Sequence, residues 1–97
     1  MAVGVIVEWR FKPEAVGQAP SVVASVLATT RAFDGCIRVD VLIDDDDPTR
    51  WLLVELWESL AHDAAYREFR AGPGKVAEMP PMLAAPPVLT RYAVASV

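Results

Sequence analysis

The stretch Arg50-Trp51-Leu52-Leu53-Val54-Glu55-Leu56-Trp57-Glu58-Ser59 constrains this chain more than any other. Its residues favour a β-strand, and the serine that ends it is a good helix N-cap. Successive side chains of a strand point to opposite faces. Trp51, Leu53, Glu55 and Trp57 therefore share one face, and Leu52, Val54 and Leu56 the other. A strand apolar on both faces belongs in the middle of a sheet covered on both sides. A carboxylate between two tryptophans on such a strand requires a reason, and Glu55 is the first candidate functional residue.

The rest of the chain falls into place around this strand. Residues 2–12 alternate, with Val5, Val7, Trp9 and Phe11 on one face, and read as strand one. Val22, Val23, Val26, Leu27, Thr30 and Phe33 recur at helical spacing after Pro20, so the first helix spans residues from about 20 to about 33. Asp34-Gly35 stops it. Residues 36–43 form strand two, and Asp44-Asp45-Asp46-Asp47-Pro48-Thr49 is the turn into strand three, residues 50–58. Ser59 caps a second helix over 60–71, whose Asp63, Arg67, Glu68 and Arg70 read as its wet side. Gly72-Pro73-Gly74 breaks it, residues 75–79 suit a short helical turn, a proline-punctuated connector follows, and residues 88–97 form a last strand.

The order β-α-β-β-α-β with right-handed crossovers predicts an α+β fold, the ferredoxin-like plait, with a four-stranded antiparallel sheet and both helices on one face. Matching apolar with apolar sets Ile43 opposite Arg50, Val41 opposite Leu52, Val39 opposite Val54 and Ile37 opposite Leu56. On the other face that register sets Arg38 opposite Glu55, Asp40 opposite Leu53 and Cys36 opposite Trp57. Ile37, Val39, Val41, Ile43, Leu52, Val54 and Leu56 would then form one aliphatic face, too large for a soluble monomer to expose. A homodimer pairing sheet to sheet is the expected remedy. Which face the helices cover is left open.

Ninety-seven residues predict a single domain over 1–97, and 54% hydrophobic residues suffice for a core. The net charge is −4, all of it supplied by Asp44 to Asp47, and no basic stripe suggests nucleic acid. No apolar run is long enough to span a bilayer, and residues 1–10 lack the pattern of a signal peptide, so no membrane is expected and the cytoplasm is the expected compartment. One cysteine, Cys36, leaves no internal disulfide, and one histidine, His62, leaves no ready-made metal site.

Phe33-Asp34-Gly35-Cys36, then Arg38-Val39-Asp40-Val41-Leu42, the acidic Asp-Asp-Pro hairpin and Leu53-Val54-Glu55-Leu56-Trp57-Glu58-Ser59 resemble the antibiotic-biosynthesis monooxygenase (ABM) family of dimeric α+β barrels. The resemblance implies a sheet-to-sheet homodimer with a pocket between sheet and helices, walled by Trp57. It implies oxygenation of a small aromatic molecule, a polyketide or quinol, by O2 without metal, flavin or other cofactor. Many such relatives carry a histidine on the helix after the tryptophan strand; here that position falls at or near Tyr66, with His62 one turn earlier. The haem-degrading relatives also use a strand-one asparagine, and this chain has none, so haem is not expected.

Several residues have two readings. Glu55 with Arg38 and the diagonal Asp40 is either a register-fixing ion pair or the polar floor of an aromatic pocket, with Glu55 or Asp40 as base and Arg38 or Tyr66 as donor to an oxyanion. Tyr66 is equally a buried, satisfied tyrosine. Trp57 and Phe69 are core or pocket wall, and Trp9 is a further candidate for either role. His62 is a substrate contact or a helix-start residue. Met79 and Met82 are a pocket lid or gap fillers. Cys36 reads as a small buried residue without a base to activate it. The expected function is a cofactor-independent monooxygenase of an electron-rich aromatic; the alternative is a non-catalytic dimer that binds a small aromatic molecule.

Overall fold

The computed structural model describes residues 1–97. In β1, Val3–Arg10, Val3, Val5, Val7 and Trp9 are buried, while Gly4, Ile6 and Glu8 between them are half-buried. A 3-10 turn over Pro13–Ala15 leads into α1, Ala19–Ala32, with Pro20 in its first turn, where the missing N–H leaves nothing unsatisfied. Val23, Val26, Leu27 and Thr30 form its buried stripe. Gly35, at φ 87°, then turns the chain into β2, Cys36–Ile43. A Cβ at Gly35 would lie 2.2 Å from the His62 ring, so glycine is required for space as well as for conformation.

The acidic hairpin caps itself before β3, Arg50–Trp57. Asp44 Oδ1 accepts the Asp46 N–H at 2.9 Å, and Asp47 Oδ1 accepts the Thr49 N–H at 3.0 Å and its hydroxyl at 2.6 Å. Ser59 Oγ accepts the His62 N–H at 3.2 Å and opens α2, Leu60–Ala71. The short helical turn expected over 75–79 lies instead over Met79–Met82, as α3, where Pro80 and Pro81 occupy the first turn. The last strand, β4, is Val88–Ala93 and stops short of the expected 97. The sheet order is β2-β3-β1-β4 with every pair antiparallel, which is the ferredoxin-like plait. No helix is long and apolar enough to cross a membrane.

The expected β2–β3 register is corrected by the structure. Cys36 does pair with Trp57, but a bulge between Cys36 and Arg38 shifts everything beyond it. Arg38 then pairs with Leu56, Val39 with Glu55, Asp40 with Val54 and Val41 with Leu53. A one-residue shift exchanges the two faces of a strand. Val39 and Val41 thereby pack beneath α1 beside Leu53, and Arg38 and Asp40 reach solvent on the other face. The expected register would have put Arg38 and Asp40 under the helices, and burying two charges there costs far more than one bulge.

The helices thus cover the tryptophan face of β3. Phe33 at the end of α1 and Tyr66 of α2 both meet Trp57, with ring centroids 6.2 and 4.8 Å away. The uncovered face differs from the one expected. Leu52, Val54 and Leu56 lie on it, joined by Ile6, Leu42, Val88, Thr90 and Tyr92. Leu42, Val88 and Tyr92 are exposed, and charged residues rim the patch.

Candidate functional site

A cleft of about 870 Å³ opens between the helix-covered face of the sheet and the connector that follows α2. Val7, Trp9, Leu53, Glu55 and Leu89 come from the sheet, Tyr66, Arg67 and Arg70 from α2, and Met79, Pro80, Leu83 and Pro86 from the connector. Its walls are mostly apolar, and a few convergent polar groups lie at one side, the composition of a small-molecule site.

Glu55 is the carboxylate of this cleft, and it is buried. Strand alternation aims it at the helices, and Trp57, two residues on, reaches back along the same face. Trp57 Nε1 donates to Glu55 Oε1 at 2.9 Å, and Arg67 donates to the same oxygen. Oε2 accepts no hydrogen bond from the protein. Arg67 Nε also donates to Asp63 Oδ1 at 2.9 Å, and Arg91 of β4 donates to Asp63 Oδ2. Carboxylates and guanidinium groups alternate along this chain, so the buried charges of Glu55 and Asp63 are compensated. One oxygen of Glu55 is left for a cleft ligand.

A second network surrounds Tyr66. Thr30 Oγ1 donates to the Val26 carbonyl at 3.1 Å, so the Tyr66 hydroxyl, 2.6 Å from Thr30 Oγ1, is the donor of that pair. Arg70 Nε donates to the Tyr66 oxygen at 2.7 Å. Arg70 also reaches the Gly74 and Val26 carbonyls at 3.1 and 2.9 Å, and Thr30 Oγ1 at 3.1 Å. The Tyr66 hydroxyl is therefore occupied both as donor and as acceptor.

Of the residues singled out from sequence, the structure brings Glu55, Tyr66, Trp9 and Met79 together on the cleft. Trp57 is fully buried behind it and acts on it through Glu55. Phe69 packs on Phe33 and against Gly74, where a Cβ would come within 2.2 Å of its ring, and lines a neighbouring groove of about 460 Å³. Met82 is buried beside a third groove. His62 lies at the start of α2, its Nδ1 2.7 Å from Ser59 Oγ and its Nε2 3.7 Å from Asp34 Oδ2. Asp34, Glu58 and His62 bring ligand atoms within 4.8 Å of one another at the surface, and none of the three lines the cleft. The pairing of Arg38 with Glu55 does not occur: Arg38 bonds Asp40 on the opposite face of the sheet, so neither joins Glu55 in a polar floor.

Asp63, Arg67 and Arg70 are the corresponding surprise. The wet side expected of α2 holds Asp63 fully buried, and Arg67 and Arg70 partly so. Their spacing of four and seven residues from Asp63 places them on one helical stripe, and an unpaired strand carboxylate beside such a stripe is the signal that points to them. Cys36 stands near this network as a thiol. Its burial pushes the group up, the Glu55 charge adds to that, and Arg31 opposes it.

The fold has known counterparts. The family model of antibiotic biosynthesis monooxygenases matches residues 2–78. A crystal structure of an antibiotic biosynthesis monooxygenase superposes with a TM-score of 0.83 at 18% identity, over 96% of this chain and 98% of that one. Rv0793 from Mycobacterium tuberculosis gives 0.79 at 25% identity over 100% and 98%. A conserved protein from Methanosarcina mazei Go1 gives 0.77 at 22% identity over 95% and 91%. No curated protein matches the chain. With its plait, its cleft between sheet and helices and a family match over most of its length, the chain belongs to the antibiotic biosynthesis monooxygenase family.

Proposed function

We propose that this protein is a cofactor-independent monooxygenase of an electron-rich aromatic, of the quinol or polyketide type, with Glu55 as its base. The observation that carries the reading is the buried carboxylate held at Oε1 by Trp57 and Arg67, with Oε2 free beside a mostly apolar cleft. Glu55 Oε2 removes a proton from an activated methylene or phenol, and the carbanion passes one electron to O2. The radical pair combines to a peroxide anion, which takes the proton back from Glu55, and the resulting hydroperoxide loses water to give the ketone. In sum a methylene group and dioxygen become a carbonyl group and water, so the substrate supplies the electrons. Arg67 stabilises the developing oxyanion, and Trp9, Leu53 and Met79 exclude water. A homodimer closed over the uncovered sheet face is part of the same proposal.

Tyr66 favours a second reading. Its hydroxyl is used by Thr30 and Arg70, so it offers no free donor to a substrate oxygen, as in a site that binds an aromatic molecule without turning it over. Oxygen uptake with a panel of hydroquinones and anthrones decides. The oxygenase reading expects uptake, and a loss of about 10²–10⁴-fold in Glu55→Gln. Binding of the panel without any uptake leaves only the second reading.

A further inference from the structure

We infer that the cleft selects aromatic ligands that carry a negative charge, and that Arg70 and Lys75 receive the charged group. The inference rests on reading the cleft as an aromatic-ligand site and adds the class of ligand. The chain as a whole is acidic, at −4, but its cleft is not. The charged residues lining the cleft are Glu55, Arg67, Arg70 and Lys75, one anion against three cations.

These cations are not equivalent. Arg67 is compensated by Glu55 and Asp63. Arg70 has no carboxylate partner. Its hydrogen bonds go to a phenol, a threonine hydroxyl and two backbone carbonyls, all neutral. Four of the five guanidinium N–H groups are used in this way, and one at Nη1 is left over. The guanidinium is thus held rigidly, part-buried and uncompensated. Lys75, on the same wall and exposed, makes no ion pair either. Glu78 lines the adjoining groove and pairs with neither.

A part-buried cation without a counter-charge gains most from an anion that arrives with the ligand. Neutral ligands leave it uncompensated. A carboxylate or sulfonate on an aromatic ring satisfies it while the ring lies on Trp9, Leu53 and Met79. A dication-like wall opposes cationic aromatics for the same reason.

The test uses anthracene-2-carboxylate and its neutral amide, anthracene-2-carboxamide, followed by their own fluorescence. The carboxylate is expected to bind about tenfold tighter at low salt, with the difference shrinking as salt screens it. Lys75→Gln, an exposed position, should weaken the carboxylate several-fold and leave the amide unchanged. Arg70→Lys keeps the charge and should keep the preference; Arg70→Gln should lose it, with folding checked by circular dichroism. A merely structural Arg70 would instead give the same result in both variants. Equal binding of the two probes, or a Lys75→Gln effect on both alike, overturns the inference and leaves the oxygenase reading intact. Carboxylate preference, with no oxygen uptake from any of the hydroquinones and anthrones, sinks the oxygenase reading and keeps the inference. Failure of both probes to bind overturns the inference, and the oxygenase reading then stands or falls on oxygen uptake alone.

Discussion

The two faces of the sheet hold arginine–carboxylate pairs of the same chemistry and opposite setting. On the helix-covered face Arg67 joins Glu55 and Asp63, whose side chains are 2% and 0% exposed. On the uncovered face Arg38 joins Asp40, at 66% and 46%. Their energetics differ because water already solvates the second pair, so closing it gains little and opening it costs little. In the first the carboxylates are buried and only Arg67 keeps partial contact with water, so either carboxylate without the guanidinium is a poorly compensated buried charge. The covered face tolerates charge only as a closed network; the uncovered one tolerates it at its rim.

The largest expected effect comes from breaking the covered pair. Arg67→Met leaves Glu55 without its only cation and Asp63 with Arg91 alone, and a loss on the order of 3–5 kcal/mol is expected in denaturant unfolding. A loss below about 1 kcal/mol would mean that the two faces do not differ as described. Next is the apolar centre of the uncovered face. If it closes onto a second copy, Val54→Asp puts an unpaired carboxylate into that contact, weakening the dimer by on the order of a hundredfold or more. Light scattering at micromolar concentration reads the result, and a monomeric unmutated chain removes the premise. Arg38→Met then completes the comparison from the weak side: its unfolding free energy should change by about 0–1 kcal/mol, several times less than Arg67→Met.

The smallest effect lies in the acidic hairpin. The Thr49 hydroxyl and N–H hold the Asp47 carboxyl below the usual carboxylate range. A group depressed in this way stabilises the fold above its unfolded value, about 3.9, and loses that contribution as pH falls through its folded value. Thr49→Val removes the hydroxyl bond and retains the backbone one. Its melting temperature should sit slightly below that of the unmutated chain at neutral pH, and the gap should close in acid. A gap that widens in acid would contradict the sign.

The legibility of the site followed the same division. Glu55 stood out because a carboxylate between two tryptophans on a two-faced strand requires a reason, a register-fixing ion pair or a pocket floor, and it is on the cleft. Its partners did not. Arg38 was the natural neighbour by strand pairing, yet one bulged residue moved it to the far face. Arg67 and Arg70 read as solvent-facing because a charge on a helix normally is, and only the packing of α2 on β3 turns that stripe inward. Long flexible side chains make such assignments hard, since their charged ends reach several ångströms from the backbone position that periodicity places.

Periodicity determined the element order, the extents of β2 and α2, the Ser59 cap and hence the plait, because each depends on neighbours a few residues apart. It also determined which residues of β3 share a face. Tertiary structure decided which face the helices cover, the bulge after Cys36, the burial of Asp63 and the carboxylate–guanidinium chain that aligns Glu55. Those depend on the free energy of burying charge, and that is set by what packs against a residue from elsewhere in the chain.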